Sequence, residues 1–101
     1  MKSEMLNQIA EVVAKECEVT VAEIKSTCKR GDIVEARCMF VHYCYVYGLQ
    51  PASITNFLGR SRKNTINDCC SNYLIFRKQS VSFRLMSNKV ETILAGMFPR
   101  E

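Results

Sequence analysis

This sequence predicts an all-α fold, a compact bundle of about six helices, and three observations carry the prediction. Apolar residues recur at intervals of three and four along most of the chain, as on the inward face of an amphipathic helix. Start and stop signals for helices punctuate those stretches at Thr20, Asp32, Gly48, Pro51, Gly59 and Ser80. The 101 residues, 48% hydrophobic and 24% charged, suffice for a single domain with a modest core held without metal or disulfide staples.

The first helix is expected from Ser3 to about Glu18, where Met5, Leu6, Ile9, Val12, Val13 and Cys17 keep the helical spacing and Ser3 stands ready to cap. Thr20 and Glu23 match the capping box, in which each side chain satisfies the other's exposed backbone N–H, so a short second helix should run from there to about Ser26. Lys29, Arg30 and Gly31 then form a basic loop, and Asp32 with Glu35 repeats the cap signature. The third helix, Ile33 to Tyr47, is apolar nearly all round, as expected for a segment surrounded by the others. Its Val and Tyr content would also suit a strand, but the capped start, the length and Gly48 just past the end favour helix.

From Leu49 to Phe76 the chain reads as a short helix, a tight turn and a longer second helix, a helix-turn-helix over about residues 50–78. Pro51 fits a first helical position, Ile54, Phe57 and Leu58 give the short helix an apolar edge, and Gly59 ends it. Helix should resume from about Arg62 with Ser61 as N-cap, and Ile66, Cys69, Cys70, Tyr73, Leu74 and Phe76 facing inward. Arg60, Arg62, Lys63, Asn64, Thr65 and Asn67 gather at its front, the end that a DNA-reading helix pushes into the major groove. Ser80 or Ser82 can cap a last helix with Val81, Leu85, Val90, Ile93 and Leu94 inward, ending near Gly96 and Pro99.

Net charge is +4, but it is unevenly spread. Residues 1–35 hold five bases and seven acids, whereas residues 36–90 hold eight bases against Asp68 alone. Such asymmetry suits a polyanionic partner; a solvated basic surface is the plain alternative. The longest mostly apolar run, Cys38 to Tyr47, is far short of the roughly 18 residues of a membrane span, and an N-terminus with Glu4 and Glu11 does not resemble a signal peptide. A cytoplasmic location is therefore expected. The six cysteines form no Cys-x-x-Cys pair and share the chain with one histidine, so reduced core thiols are expected in preference to zinc ligands or bridges.

Ala36-Arg37 in the long apolar helix, then Gly48, Ile54, Gly59 and a basic segment ending Asn64-Thr65-Ile66, resemble the C-terminal DNA-binding domain of the bacterial replication initiator DnaA. The likeness covers about Ile9 to Leu94. In that family a basic loop precedes a long arginine-bearing helix, and a helix-turn-helix of the Trp-repressor class follows. Its recognition helix opens with the signature Gly-Arg-Asp-His-Thr-Thr-Val. Gly59 looks like the signature glycine; Arg62 falls at the aspartate, Lys63 at the histidine, Asn64 and Thr65 at the threonines, and Ile66 at the valine. Either Arg60 or Ser61 takes the signature arginine's place. The altered Asp-His pair leaves the recognised DNA sequence open. No Gly-x-x-x-x-Gly-Lys-Ser/Thr occurs, so the initiator's nucleotide-binding module is not encoded here.

The resemblance implies sequence-specific binding of double-stranded DNA, in replication or transcription control, without cofactor or metal. Lys63, Asn64 and Thr65 would read bases: Lys donates to guanine, Asn pairs with adenine, and a Thr methyl touches thymine. Arg60 and Arg62 would clamp phosphates, Lys29 and Arg30 would reach a neighbouring groove or backbone, and Ser53 and Thr55 would anchor phosphates. Arg37 suits a buried structural role better than a DNA contact. Catalysis is disfavoured: Cys38 and His42 share a helical face, but both lie on the most apolar helix with no accompanying acid or Gly-rich loop. The stronger alternative is a helical protein-interaction module, since Tyr43, Tyr45 and Tyr47 cannot all be buried with paired hydroxyls. A homodimer or a protein partner stays open.

Overall fold

In the computed structural model the backbone is described at residues 2–59 and 64–98, and the side chains at 4–59 and 66–98. It contains α1 (Lys2–Cys17), α2 (Val21–Lys25), α3 (Gly31–Val46), α4 (Pro51–Phe57), α5 (Asn64–Gln79) and α6 (Val81–Met97), with no strand among the described residues. The radius of gyration, 12.3 Å, is that of a compact body. No helix of the described chain is long and apolar enough to cross a membrane.

The all-round apolarity of α3 has the expected cause: it packs against each of the other five helices. Phe40, Met39, Val41 and Cys44 are sealed inside, with Ile9 and Val13 of α1, Ile24 of α2, Ile54 of α4 and Phe83, Val90 and Leu94 of α6 around them. Truncating Phe40 to Ala should cost about 3–5 kcal/mol on these grounds.

Local chemistry sets the boundaries. Thr20 Oγ1 accepts from the Glu23 amide at 3.0 Å while Glu23 Oε1 accepts from the Thr20 amide at 2.9 Å, completing the capping box that starts α2. Helix α3 ends with Gly48 at φ +78°, where the Gly48 amide donates to Tyr45 O and the Leu49 amide to Cys44 O. Those paired bonds satisfy carbonyls that the last helical turn would leave bare, and Leu49 buries itself beneath them. Helix α1 closes by the same hydrogen-bond pattern, but Glu18 takes the left-handed place, at φ +59°.

Three expectations about local structure are corrected. Helix α3 begins at Gly31 with Arg30 as a cap that makes no side-chain bond, so Gly31 belongs to the helix and not to the loop. Asp32 lies inside the first turn, where its Oδ1 accepts from Arg30 Nε at 2.7 Å and from the Ile33 amide at 2.9 Å instead of capping the helix. Leu74 is 63% exposed, one step round α5 from the buried Tyr73. On α6 the inward stripe is Phe83, Ser87, Val90 and Leu94, while Val81, Leu85 and Ile93 are exposed. Val81 and Val90, nine residues apart, stand about 180° from each other on a helix, so one stripe cannot hold both.

Ser87 belongs to that stripe because its polar atoms are satisfied internally. Tyr43 Oη donates to Ser87 O at 2.7 Å, the Ser87 hydroxyl contacts Tyr43 Oη at 2.7 Å, and Tyr73 Oη contacts Ser87 Oγ. This network locks α3, α5 and α6 together, and burial holds the Tyr43 phenol well above its ordinary pKa.

Candidate nucleic-acid interface

The loop between α2 and α3 is shaped from inside by Arg37, which is only 5% exposed. Its Nε donates to Ile24 O at 2.9 Å, and its Nη2 to Ser26 O at 2.7 Å, Cys28 O at 3.1 Å and Glu23 O at 3.3 Å. A fixed positive charge thereby caps the carbonyl end of α2 and folds residues 26–28 back over α3. The structural role expected for Arg37 is the one it has.

That loop brings Lys29 beside α5. Lys29, Cys38, Asp68, Cys69 and Asn72 line one shallow groove, so the basic loop and the exposed side of α5 share a surface although about 40 residues separate them in sequence. Lys29, Asp68 and Asn72 are exposed at its rim. Arg30 is exposed as well but engaged: its guanidinium meets Asp32 at 2.7 Å and Glu23 at 3.3 Å. The Arg30 hydrogen bond holds the Asp32 carboxyl below its ordinary value and the Asp32 carboxylate raises the Arg30 pKa in turn. Arg30 thus ties the loop to the capping box of α2 through two solvent-exposed ion pairs.

On α4, Ser53 and Thr55 are half-buried. Thr55 Oγ1 donates back to Pro51 O and Ala52 O, both at 3.1 Å, which keeps its proton within its own helix. Pro51 occupies the first turn as the sequence suggested. Gly59, at φ +70°, ends the segment, with its amide donating to Asn56 O.

Arg60, Ser61, Arg62 and Lys63 lie outside the described residues, as do the side chains of Asn64 and Thr65; the backbone of these last two opens α5. What can be followed is the rest of the outward face of α5, on which Asn67, Asp68, Ser71 and Asn72 are all exposed. Asp68 and Asn72 fall four and eight residues beyond Asn64, on one helical side. Sequence reasoning passed over Asp68 and Asn72, although that spacing was a usable signal.

The cysteines are free. Cys38, Cys44 and Cys69 are buried, Cys17 and Cys70 half-buried, and Cys28 exposed, so five of the six fit core or near-core packing while Cys28 sits on the surface loop. Burial raises the Cys17 thiol to about 12 and also pushes Cys44 and Cys70 up. Cys38 is raised by its hydrogen bond to Cys69 and by burial. His42 stacks flat on Tyr73, with ring centroids 3.7 Å apart, and burial followed by the Arg77 charge lowers its pKa to about 4. A nucleophile pair needs a thiolate and a proton acceptor near neutrality, whereas Cys38 stays a thiol and His42 is a weak base. No group of three metal-ligating side chains forms among the described residues.

Comparison with protein-family models and with curated proteins gives no match to this chain. The functional reading therefore rests on residues and geometry.

Proposed function

We propose that this chain is a sequence-specific double-stranded DNA-binding domain. Helix α4, the turn and α5 act as a helix-turn-helix like that of the DnaA C-terminal domain, and α5 is the recognition helix. Lys63, Asn64 and Thr65 read base edges from its front, Arg60 and Arg62 hold phosphates, and Lys29 reaches the flanking backbone. The reading is supported above all by the groove that Lys29 shares with Asp68 and Asn72, since a basic loop beside an outward polar helix face is what a duplex needs to be gripped and read at once. The pairing of Arg30 with Glu23 and Asp32 gives it a bracing role in this scheme.

The test is selection of bound duplexes from a random pool by the wild type and by a Lys63→Ala, Asn64→Ala double variant. The wild type should enrich a discrete motif. The double variant should lose it while keeping its helix content. Replacing Arg60 by Ala should weaken binding to all sequences and lower the salt slope by about 0.9. Enrichment of the same motif by wild type and double variant would refute the assignment of the base readers.

A second reading, a helical protein-interaction module, has one observation in its favour. Leu74, Val81 and Leu85 are each more than 60% exposed on the corner between α5 and α6, where phosphates would gain nothing from them.

A further inference from the structure

We infer that the corner formed by α5 and α6 is a docking surface for a short acidic amphipathic helix supplied by another protein. The surface is distinct from the groove beside Lys29, so the inference stands whether or not the chain binds DNA.

Its composition sets it apart. Leu74, Arg77, Lys78 and Arg84 line a notch between the two helices. Beside it, Val81 and Leu85 stand one turn apart on the outer side of α6, with exposures of 63% and 61%. Leu85 and Ile93 then line a second groove along α6, with Asn88, Lys89, Thr92 and, from α1, Glu16, which Lys89 meets. From Val81 to Ile93 the row of every fourth residue, Val81, Leu85, Lys89 and Ile93, rises about 18 Å along α6, the length of a three-turn helix. Lys89 interrupts it, and Arg77, Lys78 and Arg84 lie beside its start.

Two of these cations, Arg77 and Arg84, are held in place without being neutralised. Arg77 donates to Asn88 Oδ1 at 3.2 Å and Arg84 Nε to Arg77 O at 3.2 Å, contacts that orient the guanidinium groups but leave their charge. Among the described residues no carboxylate pairs with Arg77, Lys78 or Arg84; Lys89 alone meets one, Glu16 at 3.8 Å. A surface that exposes leucines within a frame of oriented positive charge matches a ligand with apolar side chains on one stripe and carboxylates on its flanks.

The other occupants fit less well. A second copy docking by the same face would bring Arg77, Lys78 and Arg84 against themselves. A second copy offering its acidic α1 would have no apolar stripe to give, because Ile9 and Val13 are already sealed in its own core. An anionic bilayer would meet the same exposed leucines and cations without reading their spacing, and the patterned and scrambled peptides and the vesicles below separate it from a helix. Duplex DNA would satisfy the cations and leave the leucines in water.

The experiment uses the full chain and a fluorescein-labelled peptide of about 12 residues, with leucines at helical spacing and glutamates on both flanks, beside a scrambled peptide of the same composition. Fluorescence anisotropy should show the patterned peptide binding about tenfold more tightly than the scrambled one, and Leu85→Asp weakening it about tenfold. A Lys78→Glu, Arg84→Glu double variant should lose the acidic peptide and gain a version with lysine in place of glutamate. Circular dichroism melts check that each variant is folded, and Lys78→Glu alone, at an exposed position, gives the same sign of effect should Arg84 prove needed for stability.

Equal binding of patterned and scrambled peptides by the folded wild type overturns the proposal, as does indifference to Leu85→Asp. Three further outcomes also overturn it. They are sensitivity to Leu85→Asp only in binding to phosphatidylglycerol vesicles, only in duplex-DNA binding, or only in sedimentation of a self-associated species, which would assign the corner to lipid, DNA or a second copy. Failure of the wild type to bind duplex DNA, with peptide binding intact, would count against the DNA reading alone.

Discussion

Replacing Arg37 by Ala should cost about 3–4 kcal/mol of folding stability, and the structure supplies the reasoning. The guanidinium donates to the carbonyls of Glu23, Ile24, Ser26 and Cys28. A hydrogen bond involving a charged group is worth about 1.5–3 kcal/mol net, so four independent bonds would amount to about 6–12 kcal/mol, as much as the whole net stability of a domain of this size. They are not independent. The bond to Ile24 O is buried and cannot be replaced by water, whereas the three to Glu23, Ser26 and Cys28 lie where a loosened loop can rehydrate. One full bond plus a fraction of the others gives the figure. For a domain of this size each kcal/mol moves the midpoint by about 4–8 °C, so the melt should fall by roughly 12–32 °C. Urea titration followed by far-ultraviolet circular dichroism measures it directly. Arg37→Lys should recover about half, because one ammonium offers three donors without the planar fork. A loss under about 1 kcal/mol for Arg37→Ala, with the urea slope unchanged, would mean that the loop carbonyls are already adequately served by water and that the guanidinium does not organise the loop.

Other perturbations separate the same forces elsewhere. Glu18 holds a left-handed conformation at φ +59°, so Glu18→Gly should raise stability by about 0.5–1 kcal/mol, read from the urea midpoint. His42 has its pKa lowered from 6.5 to about 4, so the unfolded chain binds the extra proton first. Its contribution to stability is complete above pH 6.5, is lost as the pH falls toward 4 and changes no further below that; the slope should vanish in a His42→Gln variant compared by urea titration across that window. Alkylation at neutral pH should label Cys28 quickly and leave the other five cysteines until denaturant is added, counted by mass spectrometry. Asp68 is the sole acid between residues 36 and 90 and stands at the rim of the Lys29 groove, so Asp68→Asn should tighten non-specific duplex binding a few-fold while blurring one position of the selected motif.

Local signals made much of the architecture legible. The capping box at Thr20, the proline at the head of α4 and the glycine after α3 each work within a few residues, through backbone groups that must be satisfied wherever the helix sits. The central place of α3 was equally readable, since a helix apolar on every side has nowhere else to go. Errors arose where two faces competed. Along α6 the apolar residues mark two stripes, and the one that looks weaker, with a serine at its middle, is the buried one. Ser87 becomes an inward residue only when Tyr43 and Tyr73 arrive from other helices to share its hydroxyl. Along α5 the same ambiguity turned Leu74 outward. Within the candidate interface, the basic residues were visible as charges, but nothing local distinguished Lys29, which is exposed on the α5 groove, from Arg30, which is paired with Glu23 and Asp32.

By itself the sequence determined that this chain is helical, where most of its helices begin and end, and that its positive charge gathers in the second half, because caps, periodicity and charge counts are properties of neighbours along the chain. Only the tertiary structure decided which face of each helix is hidden, which carbonyls Arg37 serves, and that a loop near residue 29 adjoins a helix near residue 70. Those depend on partners distant in sequence, whose hydrogen bonds and packed surfaces exist only once the helices have met.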